Sequence, residues 1–245
     1  MSLILAAHGT RRPGGVAMIG DLAARVSGLL GKTVRVAFVD VLGPTPSEVL
    51  SAAGGQRAIV VPAFLSRGYH VRTDVPNHVV ASGHPDVVVT AALGPGGEIA
   101  RIVADQLVQS GWRPGDSVII GAAGTSDPIA YSDLHTTATL LSALTGSRVT
   151  LGFAATGEPD IHQAVVMARA EGARRVVIAS YLLADGLFQE RLEDSGADVV
   201  SRPLGTHPRL SGLIANRFRR AVPVAARHPM RHYRLGAPTR VKLDL

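Results

Sequence analysis

The sequence predicts an α/β protein of two similar lobes, each a four-stranded parallel sheet flanked by helices, related by a pseudo-twofold axis with a cleft between them. Eight short runs rich in Val, Ile and Ala alternate with longer stretches of helical periodicity. The runs are apolar almost throughout, which suits parallel strands covered on both faces. Strand and helix alternate four times and the series then repeats, an order that favours right-handed crossovers.

Each half of the chain supplies four of the predicted strands. In the first half they are LILAAH (3–8), VRVAFVD (34–40), AIVVPAF (58–64) and DVVVTAAL (86–93). In the second half they are SVIIGAA (117–123), VTLGFAA (149–155), VVIASYL (176–182) and DVVSRPL (198–204). Between them, stretches such as AMIGDLAARVSGLLG and EIARIVADQLVQSG have helical periodicity and end in Gly, which often terminates a helix.

The second half tracks the first at a shift of roughly 112 to 118 residues, which indicates an internal repeat. QRAIVVPAFLSRGYH matches ARRVVIASYLLADGLF, and the junction falls in SGWRPGDS (110–117), where Gly, Pro and Ser interrupt the pattern. We therefore expect an N-terminal lobe at 1–113 that carries the active site, a degenerate repeat at 114–222 and a basic tail at 223–245.

Composition narrows the class of protein. The 245 residues are 46% hydrophobic and 18% charged, contain no Cys and include no apolar run long enough to span a membrane. The N-terminal apolar run has no basic segment before it, so we expect a cytoplasmic protein without a signal peptide. Eight of the 25 Lys and Arg residues lie from residue 217 onward, which leaves a nearly neutral body and predicts no nucleic-acid partner.

Three polar residues follow neighbouring strands of the first half. His8 ends the first strand, Asp40 ends the second, and His70 follows the third. Ligands bind beyond the carboxyl ends of parallel strands, so these side chains are expected to meet there. Two imidazoles and a carboxylate suit a divalent cation such as Fe²⁺, Co²⁺, Ni²⁺ or Zn²⁺, and the imidazoles could also accept protons near neutral pH.

Taken singly, each of these residues has a structural interpretation, such as a hydrogen-bonded strand-end His or an Asp that caps a helix. The repeat favours chemistry, because the second half has Ala123 in place of His8 and Phe188 in place of His70. It nevertheless keeps the turn residues Gly124, Thr125 and Gly186. The imidazoles are therefore not needed for the turns.

Two motifs of the first half resemble those of the sirohydrochlorin chelatase family, the cobalt and iron chelatases of cobalamin and sirohaem synthesis. The first is AAHGTRRPGG and the second is VVPAFLSRGYHVRTDVPNHV. The matching residues are His8, Gly9, Thr10, Arg11, Pro62, Phe64, Leu65, Gly68, His70, Asp74, Val75 and Pro76. The second half resembles the family's tandem two-domain forms.

The resemblance implies an enzyme, a lyase that inserts Fe²⁺ or Co²⁺ into sirohydrochlorin without a nucleotide or other cofactor. It implies that His8 and His70 bind the metal and accept pyrrole protons, with Asp40 as a third ligand or as the partner of one imidazole. Ni²⁺ or Zn²⁺ could occupy the same site. We expect a monomer with an internal pseudo-dimer, while a non-catalytic tetrapyrrole or metal carrier and a chelatase for another tetrapyrrole stay open.

Sirohydrochlorin, the substrate that the family implies, carries eight carboxylates, so guanidinium groups should line its site. The candidate substrate-binding residues flank the two motifs: Thr10, Arg11, Arg12, Phe64, Leu65, Arg67, Tyr69 and Arg72. The arginines could equally be solvated loop residues, and core packing could explain Phe64 and Leu65.

Overall fold

Two parallel four-stranded sheets form the framework of the protein, as the repeat predicts. The computed structural model describes residues 1–222, and the predicted basic tail at 223–245 lies outside these described residues. No helix within 1–222 combines the length and apolar character needed to cross a membrane.

The first sheet has the strand order β2-β1-β3-β4 and defines the first lobe. Its strands are β1 (Ser2–Ala7), β2 (Val34–Phe38), β3 (Ala58–Pro62) and β4 (Val87–Val89). The central strand β1 is fully covered from Leu3 onward, which explains its unbroken apolar run. The predicted third strand ends two residues early, at Pro62.

The second sheet repeats this arrangement in the order β6-β5-β7-β8 and defines the second lobe. Its strands are β5 (Ser117–Ala122), β6 (Val149–Phe153), β7 (Val176–Tyr181) and β8 (Val199–Val200). Every strand pair in both sheets is parallel. The eight predicted strands are therefore confirmed, with the last strand of each lobe shorter than expected.

Within residues 1–222, eight α-helices connect and cover the sheets. They are α1 (Pro13–Leu30), α2 (Pro46–Ser51), α3 (Val75–Ser82), α4 (Gly97–Gln109), α5 (Pro128–Thr145), α6 (Ile161–Ala170), α7 (Leu187–Glu193) and α8 (Pro208–Ala221). A π-helical turn at His70–Asp74 leads into α3. The equivalent helices α1 and α5 both begin with Pro at their first position and end at a left-handed Gly, Gly31 and Gly146, a combination that starts and stops helices cleanly.

The helices divide into an outer and an inner set. Helices α2 and α3 cover the outer face of the first sheet, and α6 and α7 cover the outer face of the second. Helices α1, α4, α5 and α8 lie between the sheets and share one apolar core with both inner faces. Burial of each Leu or Ile side chain in this core stabilises the folded state by about 1.5–3 kcal/mol. The shared core is therefore the main interaction that holds the two lobes together.

Two of the inner helices pack on the lobe opposite to their own strands. Helix α4 follows β4 in sequence but packs against β7 and α5, while α8 follows β8 but packs against α1 and β3. The junction between the repeats, residues 110–116, carries no helix or strand. A cut there separates two repeats of sequence but not two independently packed bodies.

Candidate active site

A cleft of about 740 Å³ lies between the carboxyl ends of the two sheets. The first lobe lines it with residues that follow β1 and β3, among them His8, Thr10, Arg11, Arg12, Phe64, Leu65 and His70. The second lobe lines it mainly with small and apolar residues, among them Ala122, Ala123, Leu182, Leu183, Ala184, Leu187 and Phe188. The predicted cleft is therefore present, with polar chemistry on one wall and an apolar surface on the other.

The two predicted imidazoles meet at the first-lobe wall. The ring centroids of His8 and His70 are 4.5 Å apart, and the ring planes are nearly perpendicular. Phe64 stacks on His70 with a centroid separation of 5.8 Å. Residues 62 positions apart in the chain therefore form one imidazole pair, because β1 and β3 are neighbours and end at the same edge of the sheet.

In each imidazole, Nδ1 lies against an oxygen that can only accept a hydrogen bond. His8 Nδ1 is 3.2 Å from the carbonyl oxygen of Gly9, and His70 Nδ1 is 2.5 Å from Oδ2 of Asp74. Nδ1 must therefore be the donor in both rings, which leaves Nε2 with the free lone pair of the neutral imidazole. A nitrogen of this kind can bind a metal ion or accept a proton.

The turn that carries His8 depends on a glycine. Gly9 has φ of 99°, and a Cβ atom there would lie 2.3 Å from the carbonyl oxygen of Asp40. Its repeat partner Gly124 has φ of 121°, and a Cβ there would lie 2.2 Å from the carbonyl oxygen of Thr156. Both lobes therefore need the same tight approach of two loops, with or without a histidine beside it.

The structure does not assemble the predicted trio of His8, Asp40 and His70. The Asp40 carboxylate accepts a hydrogen bond from the Val41 amide at 2.7 Å, and Val41 has φ of 72°. No group of three or more His, Cys, Asp or Glu side chains within residues 1–222 is placed to hold a metal ion. The carboxylate that contacts an imidazole here is that of Asp74, and the expected role of Asp40 stays a prediction.

Asp40 instead borders a recess on the other side of His70. This recess measures about 540 Å³ and is lined by Val39, Asp40, Tyr69, His70, Asp74, Asn77, His78 and Ala81. Tyr69, a predicted substrate-binding residue, belongs to this recess and not to the cleft lining, although its ring lies 6.1 Å from that of His70. His70 thus forms part of the walls of both spaces.

Three of the four predicted substrate-binding arginines join the two lobes. Arg12 pairs with Glu190 at 2.5 Å, Arg67 with Asp133 at 2.6 Å, and Arg72 with Asp127 at 2.7 Å. Arg67 and Arg72 lie outside the cleft lining and make these inter-lobe ion pairs, so their predicted contact with substrate stays a prediction. Arg11 and Arg12 both line the cleft. Of the four arginines, only Arg11 makes no ion pair with a residue in the described range.

Two groups in these ion pairs have a shifted pKa, Asp127 and Arg67. The hydrogen bond from Arg72, with that from the Ile129 amide, holds the pKa of Asp127 below its ordinary value. The hydrogen bond to Asp133, whose side chain is only 1% exposed, raises the pKa of Arg67. The Arg67 amide also donates to Asp133 at 2.7 Å, so this pair is anchored by backbone as well as side chain.

The remaining predicted residues stabilise the loops around the imidazoles. The Thr10 hydroxyl accepts from the Arg12 amide at 3.2 Å. The Leu65 carbonyl accepts from the Tyr181 hydroxyl of the second lobe at 2.9 Å, and burial raises the pKa of that tyrosine. Phe64 is half-buried between His70 and the apolar residues that lie under α2 and α3 on the outer face of the first sheet. Thr10, Phe64 and Leu65 therefore line the cleft and also have structural contacts.

The polar residues around the imidazoles have no polar counterparts at the equivalent positions of the second lobe. The Asp40 amide donates to the His8 carbonyl, and the Ala155 amide donates to the Ala123 carbonyl in the same way, which makes Ala155 the counterpart of Asp40. In the second lobe His8, Asp40, His70 and Asp74 correspond to Ala123, Ala155, Phe188 and Leu192. All four polar residues are apolar there.

Sequence reasoning missed Asp74 and the inter-lobe acids. Asp74 was visible as part of the second motif, and its spacing of four residues from His70 is the signal that could have indicated a contact. Asp127 stands at the repeat position of Arg12, so the exchanged charges could have indicated pairing across the twofold. Nothing local in the sequence marks Asp133 as the partner of Arg67.

Comparison with known proteins places the chain in a family. The family model CbiX matches residues 2–110 and again residues 117–221. A sirohydrochlorin cobaltochelatase of Priestia megaterium is 27% identical over 212 residues, which cover 79% of this chain and 67% of that protein. A sirohydrochlorin ferrochelatase of the same organism is 24% identical over 203 residues, or 76% of each chain.

Solved structures share the two-lobed fold. SirB from Bacillus subtilis with Fe³⁺ superposes with a TM-score of 0.76 at 21% identity and covers 89% of this chain and 94% of that one. CbiX, described as the terminal enzyme for biosynthesis of siroheme in denitrifying bacteria, gives a TM-score of 0.71 at 20% identity, with 91% and 100% covered. Since the family model matches both halves, the chain belongs to the CbiX family of sirohydrochlorin chelatases and carries two copies of the family domain.

Proposed function

We propose that this protein inserts a divalent metal ion, Fe²⁺ or Co²⁺, into sirohydrochlorin, with His8 and His70 as the residues that handle the metal and the protons. The observation that carries the proposal is the imidazole pair, 4.5 Å between ring centroids, on the wall of the inter-lobe cleft. The relatives named as sirohydrochlorin chelatases support the substrate and the reaction class.

Two imidazoles suit a metal that must be bound and then released. Imidazole nitrogen is a good ligand for Fe²⁺ and Co²⁺, and it holds them less permanently than a thiolate cage would. The lone pairs on Nε2 of His8 and His70 would bind the metal ion before its transfer to the ring. Because the two rings lie against each other, one cation can contact both.

The same nitrogens can serve the proton balance of the reaction. Insertion replaces two pyrrole N–H hydrogens with one divalent cation, so two protons leave the ring in each turnover. Once the cation has passed to the ring nitrogens, the two Nε2 atoms are free to accept these protons and release them to water. The proposal therefore assigns one imidazole to each departing proton.

The opposite wall suits a flat macrocycle. Leu187 and Phe188 are half exposed at the cleft although they are large and apolar, a pattern that marks a binding surface. We propose that one face of the ring rests on this second-lobe surface while the other faces the imidazoles. The second lobe would then form the apolar half of the site. Arg11 is the cleft arginine that is available to a substrate carboxylate.

Anaerobic absorbance spectroscopy tests the proposal. Sirohydrochlorin is mixed with Fe²⁺ or Co²⁺ and the full chain, without nucleotide, and the conversion of the metal-free to the metallated spectrum is followed. We expect a rate well above the spontaneous one, lost in His8→Ala and in His70→Ala. The matched control is His162→Ala on the exposed face of α6, which should keep the wild-type rate.

Two results would contradict the proposal. A wild-type chain that binds sirohydrochlorin but adds nothing to the spontaneous rate would be a tetrapyrrole carrier. Full activity in either imidazole variant would remove the assigned roles of His8 and His70. Competition between Fe²⁺ and Co²⁺ in the same assay identifies the preferred metal.

A further inference from the structure

We infer that Asp74 is a positioning residue for the reaction: it holds Nδ1 of His70 and so presents Nε2 to the cleft. This inference rests on the proposed function for its kinetic consequence, but its structural content is independent of that function.

The contact between the two side chains is short and specific. Oδ2 of Asp74 lies 2.5 Å from Nδ1 of His70, and the two side chains are only 24% and 34% exposed. Phe64 stacks on the same imidazole, and His8 meets it edge to face. The ring is therefore held by a hydrogen bond along its plane and by aromatic contacts on its face and edge, a combination that fixes both its orientation and its tautomer.

A capping role does not account for Asp74. It directly precedes α3, where an Asp side chain often accepts hydrogen bonds from the first amides of the helix. Here its side chain accepts none of them. Within residues 1–222 its carboxylate contacts His70 and no other hydrogen-bond donor. The contact that its placement provides is therefore the hydrogen bond with His70.

The backbone around the pair differs from that of the other lobe. His70 and Asp74 are the first and last residues of the π-helical turn, a local widening of the helix that is frequent at functional sites. The corresponding segment of the second lobe begins the regular helix α7. There, Phe188 and the fully buried Leu192 replace the His–Asp pair. The π-turn, the imidazole and the carboxylate thus occur together in one lobe and are absent together from the described part of the other.

Nuclear magnetic resonance of the full-length chain labelled with ¹⁵N-histidine tests the contact directly. Two-bond ¹⁵N–¹H correlations distinguish the two tautomers of a neutral imidazole. We expect the hydrogen of His70 on Nδ1 in the wild type, and a mixture of tautomers in Asp74→Asn and Asp74→Leu. Asp74→Asn is nearly isosteric, and Asp74→Leu introduces the residue of the second lobe, so both are suited to fold. Asp21→Asn on the exposed face of α1 is the matched control.

The kinetic consequence is a loss of rate and not of substrate affinity. Loss of a residue that orients a metal-binding imidazole lowers activity by about 10- to 100-fold. We expect kcat to fall by this factor in both Asp74 variants, with KM for sirohydrochlorin unchanged, because Asp74 does not line the cleft. Asp21→Asn should retain the wild-type kcat.

Different results would overturn the positioning role of Asp74 and the proposed function. A wild-type His70 with its hydrogen on Nε2, or an Asp74→Asn enzyme with wild-type kcat, overturns the positioning role and leaves the proposed function standing. A wild-type chain without chelatase activity removes the proposed function, while the tautomer measurement still decides whether Asp74 holds the ring.

Discussion

Arg12, at the start of α1, forms a two-pronged ion pair with Glu190 of α7 across the cleft, with nitrogen–oxygen distances of 2.5 and 2.9 Å. The repeat relates Arg12 to Asp127 and Glu190 to Arg72, and Asp127 and Arg72 form a second inter-lobe pair at 2.7 Å. The two bridges therefore occupy equivalent places with their charges exchanged. Opposite signs at equivalent positions let one chain pair with itself across its own pseudo-twofold axis.

The exchanged polarity predicts that the Arg12–Glu190 bridge can be reversed. Arg12→Glu should lower the free energy of unfolding, because it places two carboxylates together. The double variant Arg12→Glu/Glu190→Arg should recover most of the loss, since it copies the polarity of the Asp127–Arg72 pair. Both side chains are about half exposed, so the coupling should be at most about 1 kcal/mol and should shrink in salt.

Urea unfolding of the wild type, both single variants and the double variant measures this coupling as a double-mutant cycle. Strictly additive effects at low salt would show that the two charges do not interact in solution.

Arg67 should matter for stability more than for substrate binding. Its partner Asp133 is buried, and Arg67→Ala would leave that carboxylate with the Arg67 amide as its remaining strong donor. A lost hydrogen bond to a buried charge costs about 2 kcal/mol. We expect Arg67→Ala to lower the free energy of unfolding by this amount and to leave KM for sirohydrochlorin unchanged. Unaltered stability together with a raised KM would return Arg67 to the substrate site.

Arg11 should show the converse behaviour. It lines the cleft without an ion-pair partner among residues 1–222, so its guanidinium is available to a carboxylate of the substrate. Arg11→Ala should raise KM about tenfold, which corresponds to about 1.4 kcal/mol of binding free energy, and leave stability and kcat almost unchanged. Arg35→Ala, on an exposed position of β2, is the matched control. Steady-state kinetics that gave both variants the same KM would contradict this role.

Acid should weaken the junction at the start of α8 through His207. This side chain is buried and its Nδ1 accepts from the Arg209 amide, so it caps the helix in its neutral form. Burial lowers the pKa of His207, with Arg209 acting in the same direction and Asp105 opposing it. The folded state therefore binds fewer protons than the unfolded state, whose His has a pKa of about 6.5.

The sign of this effect fixes the pH range. The stabilisation is complete above about pH 6.5 and is lost as pH falls through the lower, folded pKa. His207→Asn keeps a capping side chain but does not titrate, so its free energy of unfolding should depend less on pH between 7 and 5. Unfolding curves with the same pH dependence in both proteins would show that His207 does not contribute.

Much of the fold could be read from the sequence because strands buried on both faces leave continuous apolar runs. The exchange of α4 and α8 between the lobes could not. An apolar helix face indicates that the helix is covered, but it does not indicate which sheet covers it, because the inner faces of the two sheets are alike. The same limit applies to Arg67 and Asp133, whose meeting depends on how the lobes pack.

The site could be predicted in part for a similar reason. Topology places His8 and His70 at one sheet edge, and both lie there in the structure. Asp40 also follows its strand as predicted, but the left-handed backbone at Val41 brings the Val41 amide to its carboxylate. Strand order determines which loops meet, while the local backbone determines which side chains within them touch.

The central claim is that one metal ion is held by His8 and His70 together. The most direct measurement is the anomalous scattering of a crystal of the full chain soaked anaerobically in Co²⁺. We expect a cobalt peak at the first-lobe wall of the cleft, within bonding distance of Nε2 of both imidazoles. A peak elsewhere in the chain, or one that contacts only one of the two rings, would contradict it.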